Sequence, residues 1–195
     1  MNLSIDNYKL PIIVVSSERS GSTAYSAHLA DRYDLTWFSE PHISKNRILF
    51  ENCYKFHNQP NYLVKFIARQ SADYEIYQQL LDSDCYKIKL LRRNTVDQIL
   101  SHYIARITGV WNHSKLGPNR DSSVVPIDIK QVEKSIHCII NNNNSLNNLP
   151  YKFNEIVYYE DLGNISNHRA IEKLPKPVNA DDIKQIIQNL LITCQ

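Results

Sequence analysis

Cysteine and glycine are scarce in this chain, with four of each among 195 residues. Cys53, Cys85, Cys138 and Cys194 lie far apart and form no CxxC. The spacing therefore offers no zinc knuckle, thioredoxin-type motif or disulfide scaffold. A reduced, cytoplasmic setting is the simplest reading. Excess charge of one sign is also lacking: Lys+Arg 22 against Asp+Glu 20 gives a formal charge of +2. Without a bulk basic field, no nucleic-acid partner is expected, and any anion site must be local. No apolar run approaches the ~20 residues that span a bilayer, so no stable membrane insertion is expected. The opening Met1-Asn2-Leu3-Ser4-Ile5-Asp6 lacks the basic start and apolar stretch of a signal peptide.

What remains is ordinary globular composition, 43% hydrophobic and 22% charged, which excludes disorder and collagen. The length fits one domain over residues 1–195 with a sizeable core.

Leu10 to Val15 is a continuous apolar, β-branched run, the pattern of a strand buried on both faces. A helix fits Ser22 to Arg32. Further strands fit 36–38, 61–67, 86–91 and 153–159. Helices are expected over 44–56, from a Ser71 cap to Leu81 with Asp73 in the first turn, and over 95–107, with one opened by Pro126 and running to Ile140, and over 181–192. The asparagine run 141–148 reads as a frayed helix end or surface loop. Thr108 to Val125, about 18 residues with little pattern, reads as a long loop of the kind that forms lids. Strands alternating with helices predict an α/β three-layer sandwich around a central parallel sheet. Ligands of such sheets sit at the carboxyl ends of the strands.

Two segments fall there. Arg19-Ser20-Gly21-Ser22-Thr23 joins the first strand to a helix N-terminus. Free N–H groups and positive partial charge at such an end suit an anion. Gly21 permits a tight turn and close approach, Arg19 brings a planar charged fork, and Ser20, Ser22 and Thr23 bring hydroxyls. Together they form a cradle for a tetrahedral anion. A plain strand-to-helix turn with a capping serine and a surface arginine fits equally well. The loop is not a Walker A sequence, since Ser22 stands where that motif has lysine. The second segment runs from Arg93 to Ser101, eight residues or just over two helical turns later. Arginine and serine at that spacing can hold one phosphate monoester. Surface pairing of Arg92 and Arg93 with Asp97 or Glu75 is the plainer alternative.

Taken together, the two segments resemble the sulfotransferases that use 3′-phosphoadenosine 5′-phosphosulfate (PAPS). Arg19 to Thr23 is similar to their 5′-phosphosulfate loop, [R/K]-S-G-[S/T]-T. Arg93 to Ser101 is similar to their 3′-phosphate motif, R-[ND]-P-x-[DA]-x-x-x-S, with Thr95 in place of the proline. Tyr159-Glu160-Asp161-Leu162 resembles a late YEDL element. Ser39-Glu40-Pro41 and Thr108-Gly109-Val110-Trp111 bring the chain nearest to the bacterial trehalose sulfotransferase type.

The resemblance implies a P-loop-NTPase-like sulfotransferase fold and transfer of a sulfuryl group from PAPS to a hydroxyl of a carbohydrate or other small metabolite, leaving 3′,5′-adenosine bisphosphate. It puts the phosphosulfate on Arg19, Ser20, Gly21, Ser22 and Thr23, and the 3′-phosphate on Arg93 and Ser101. It implies no metal, and a homodimer by analogy with the trehalose type. Arg19 would stabilise the departing phosphate and Glu40 would act as general base, its pKa raised by partial burial beside Phe38 and Pro41. His42 is the alternative base and His57 a weaker one. Lys65 is expected either to touch the phosphosulfate or to stand solvated. Trp111 is expected to stack on adenine or sugar or to pack as a lid, His102 to cap or pack, and Tyr158 and Tyr159 to sit in the core or on the sheet. Two other readings compete: a P-loop nucleotide kinase or NTPase, and a non-catalytic nucleotide-binding module.

Overall fold

The computed structural model describes residues 11–43, 47–56, 61–71, 74–111, 124–163 and 179–193. Five strands form one sheet: β1 (Ile12–Ser16), β2 (Thr36–Ser39), β3 (Tyr62–Ile67), β4 (Tyr86–Leu91) and β5 (Glu155–Tyr158). Their order is β2-β3-β1-β4-β5, and every pairing is parallel. The helices are α1 (Ser22–Tyr33), α2 (Arg47–Phe56), α3 (Glu75–Asp82), α4 (Thr95–Thr108), α5 (Ile129–Asn147) and α6 (Ala180–Thr193).

β1 occupies the centre, and all five of its residues are buried. Its side chains alternate between two cores, as strand geometry requires. Ile12 and Val14 join Leu63, Ile88, Leu90 and Val157 under Tyr25 and Leu29 of α1. Ile13 and Val15 join Val64 and Phe66 under Phe50 of α2, Tyr77, Leu80 and Leu81 of α3, and Leu146 of α5. Phe66 and Tyr77 stack with centroids 4.0 Å apart and planes 7° off parallel. A third cluster joins Ile99 and Tyr103 of α4, Val132, Ile136 and Ile139 of α5, and Ile183 and Ile187 of α6. The expected layered α/β architecture with a parallel central sheet is present.

Three local expectations are corrected. Ser71 does not cap α3: its hydroxyl donates to the Ala68 carbonyl and closes a short 3-10 turn over Ala68–Ser71. The helix begins at Glu75 after an extended Tyr74. Pro126 does not open α5. Asp128 does, accepting the Gln131 N–H on its side chain. Nor is the asparagine run frayed or looped through residue 147, because α5 continues to Asn147 with Asn142 and Leu146 buried. These two residues are one turn apart on the face that carries Ile139, so burial overrides weak propensity. Asp73, His57, Ser44, Cys194 and residues 112–123 of the expected lid lie outside the described residues. Among the described residues no helix is long and apolar enough to cross a membrane.

Candidate functional site

The loop after β1 and the ends of its neighbours β3 and β4 meet at one edge of the sheet. α1 starts at Ser22 with Gly21 as its N-cap and no side-chain cap, so the capping-serine alternative does not hold. Gly21 has φ +79°, and a Cβ there would fall 2.4 Å from Cδ2 of Tyr159. Glycine is thus required twice, by the left-handed backbone and by the aromatic ring seated on it. Ser20 is fully buried, and its hydroxyl donates to the Ser17 carbonyl at 2.8 Å. It braces the loop from within and has spent its proton there. Ser22 is buried and Thr23 exposed.

Arg19 is held in the left-handed region (φ 58°), a conformation that costs a non-glycine residue free energy. Its Nε donates to Ser101 Oγ at 3.0 Å and its Nη1 to the Trp111 carbonyl at 2.7 Å. The loop and the serine of the second segment therefore meet at a single place. Burial, then the nearby Arg92, lowers the Arg19 pKa. Arg92 Nη1 donates to the Arg19 carbonyl at 2.9 Å, and its guanidinium lies 4.8 Å from the Tyr159 ring centroid. Its Nε is buried with no hydrogen-bond partner among the described residues. Neither arginine forms an ion pair among the described residues.

The nearby carboxylates have hydrogen-bond partners of their own, although Glu18 acts electrostatically on Arg19 and Arg92 on Glu160. Glu18 binds Arg69 at 2.6 Å and faces His102 Nε2 at 3.2 Å. Burial pushes its pKa up, but His102 and Arg69 outweigh that and hold it at about 2. Glu160 accepts the N–H groups of Arg93 and Asn94, both at 3.0 Å, and its pKa is lowered as those bonds outweigh burial. Two like-charged guanidinium groups, one carrying a buried donor without a partner among the described residues, lie close enough for Arg92 to lower the Arg19 pKa. That arrangement favours a bound anion.

Arg93 and Ser101 each have another partner, Ser101 the Arg19 Nε and Arg93 the Asp161 carboxylate. The Arg93 fork grips Asp161 through both nitrogens, at 2.5 and 2.7 Å, over the Tyr158 ring. Neither expected surface partner is used: Asp97 pairs with Lys184 at 2.6 Å. Tyr158 and Tyr159 are half-buried platforms for Arg93 and Arg92, not core residues.

At the end of β2, Glu40 has φ 45°. Its carboxylate receives Lys65 Nζ at 2.5 Å and Gln70 Nε2 at 2.8 Å. Burial would raise its pKa, but Lys65 and the hydrogen bonds outweigh it and the pKa is lowered. The expected upward shift is thus corrected. Lys65 is correspondingly not solvated but 3% exposed. His42 Nδ1 shares a hydrogen bond with Tyr77 Oη at 2.8 Å and packs against both the Tyr74 and Tyr77 rings. His102 is buried and packs, its ring edge-on to a 45%-exposed Trp111 at 5.6 Å.

Sequence reasoning missed Arg92 as a site residue, and also Gln98. Gln98 is fully buried, and its Nε2 donates to Ser17 Oγ at 2.8 Å and to the Glu18 carbonyl at 2.6 Å, tying α4 to the loop. A polar residue between Val96 and Ile99 on the apolar side of a helix was the available signal. No family model matches the chain, and neither does any curated protein.

Proposed function

We propose that the protein is a PAPS-dependent sulfotransferase that acts on a hydroxyl of a carbohydrate or other small metabolite. The observation that carries this reading is the pair Arg19 and Arg92 at the β1–α1 loop, with no direct ion pair on either among the described residues and with the Arg92 Nε buried and unsatisfied. A phosphosulfate would supply the anion that two adjacent guanidinium groups favour, and the motif resemblance supplies the adenosine bisphosphate scaffold. The parallel sheet, with this loop at the carboxyl end of its central strand, is the place where such ligands bind.

PAPS supplies the sulfuryl group: its S–O bond to the 5′-phosphate breaks as a bond to the acceptor oxygen forms. Arg19, Arg92 and the N–H groups that open α1 hold the 5′-phosphate and take up its charge as it leaves. Glu40 receives the acceptor proton. Held ionised by Lys65, it is a weak base. A weak base suffices when the acceptor loses its proton late, as in transfer of a loosely bonded central group. Lys65 and Gln70 fix the orientation of the carboxylate. Arg93 reads the 3′-phosphate once it releases Asp161.

Melting temperature is the first test. 3′,5′-Adenosine bisphosphate should raise it more than adenosine 5′-monophosphate, and more than ATP with magnesium. Labelled PAPS should then pass its sulfuryl group to an acceptor in a hydroxyl-compound screen. Glu40→Gln should abolish transfer and keep bisphosphate binding. Stabilisation by ATP–magnesium alone overturns the reading in favour of a kinase or NTPase. Binding without transfer to any acceptor leaves a nucleotide-binding module.

A further inference from the structure

The fold gathers three metal-binding side chains that the sequence scatters. Glu18 lies in the loop after β1, His102 on α4 and Cys138 on α5. Glu18 Oε2 stands 3.2 Å from His102 Nε2 and 3.8 Å from Cys138 Sγ. The three donor atoms all lie within 4.8 Å of one another. Around a tetrahedral zinc with bonds of ~2.0–2.3 Å, neighbouring donors are separated by roughly 3.3–3.6 Å. The cluster is therefore within a small side-chain adjustment of that geometry.

We propose that Glu18, His102 and Cys138 form a zinc site with three protein ligands. An imidazole, a thiolate and a carboxylate suit zinc, whereas magnesium and calcium take oxygen ligands. Arg69 binds the other carboxylate oxygen, Oε1, and leaves Oε2 for the metal. Asn142 Nδ2 donates to Cys138 Sγ at 3.6 Å and helps to orient the sulfur. His102 is 1% exposed, so little water competes at that ligand. On binding, zinc displaces the Cys138 thiol proton to solvent and forms a metal–sulfur bond. Thiolate and carboxylate together balance its two charges. Three ligands leave a fourth position for water or an anion.

Glu18 directly precedes Arg19, and His102 directly follows Ser101. Zinc there fastens the β1–α1 loop to α4 and α5, next to the hydrogen bond from Arg19 to Ser101. The site is independent of the sulfotransferase reading, and its test needs no PAPS.

The full chain is stripped with chelator, dialysed against zinc and assayed for metal, and a second portion is loaded with cobalt(II). One zinc per chain should survive dialysis, and cobalt should give a thiolate-to-metal band in the near ultraviolet. Cys138→Ser should abolish the band and Cys85→Ser should leave it, while His102→Gln should weaken zinc at least about tenfold. Zinc should also shield Cys138 from alkylation in the unsubstituted chain, read by peptide mass spectrometry, which requires no variant to fold. Retention of no zinc, absence of the band from the unsubstituted chain, persistence of the band in Cys138→Ser, or unchanged Cys138 alkylation overturns the proposal. In each case the three residues form a hydrogen-bonded cluster only.

Discussion

Arg19 Nε and Ser101 Oγ meet at 3.0 Å, so the loop after the central strand is fastened to the middle of α4. This bond and the one from Nη1 to the Trp111 carbonyl fix the orientation of the guanidinium. Ser101→Ala removes a hydrogen bond to a charged group, worth ~1.5 kcal/mol or somewhat more. Bisphosphate affinity, measured by titration calorimetry, should fall about tenfold. An unchanged affinity would mean that Arg19 needs no such anchor.

Arg92→Ala tests the other guanidinium. It removes a charge, a donor to the Arg19 carbonyl and the stack on Tyr159. Binding of both adenosine 5′-monophosphate and the 3′,5′-bisphosphate should weaken. Arg93→Ala should weaken only the bisphosphate. Equal losses for Arg93→Ala with both nucleotides would remove it from the 3′-phosphate site.

Asp161 occupies the fork of Arg93 with two bonds, and a 3′-phosphate must displace it. Asp161→Asn should therefore tighten bisphosphate binding several-fold and leave adenosine 5′-monophosphate binding unchanged. The effect should shrink as salt rises, because the pair is exposed.

Glu40 provides the pH dependence. Its pKa in the fold lies below the ordinary value of 4.5. The ionised carboxylate thus contributes stability that is present above about pH 4.5 and is lost as pH falls through the folded-state value. Lys65→Met removes the cation and leaves the burial, so the Glu40 pKa should rise. The acid limb of the transfer rate should move up with it. A limb that stays in place would exclude Glu40 as the base and direct attention to His42.

Gly21→Ala should cost about 2–4 kcal/mol in denaturant unfolding, from a left-handed backbone and a clash with the Tyr159 ring. In a Tyr159→Ala background the clash disappears, and the cost should fall to about 1 kcal/mol.

The central strand was legible because Ile12 to Val15 are apolar on both faces, which a two-sided core demands. α4 was legible from its 3.6-residue apolar spacing, and its N-cap Asn94 accepts the Asp97 N–H as a capping residue should. The partners at the site were not legible. Asp161 stands against Arg93, and Lys65 against Glu40, through strand order and register alone. Neither leaves a local trace, so Glu40 read as a partly buried acid when its neighbour on β3 sets its charge. The Asn-rich end of α5 misled for a related reason: Asn142 and Leu146 are fixed by the core they enter, not by their own helical preference.

Arg92 and Arg93 follow one another at the end of β4, yet one serves the loop and the other the acidic turn after β5. Two consecutive guanidinium groups thus tie one short link to the loop after β1 and to the turn after β5, so replacing either arginine frees a different side of the cleft.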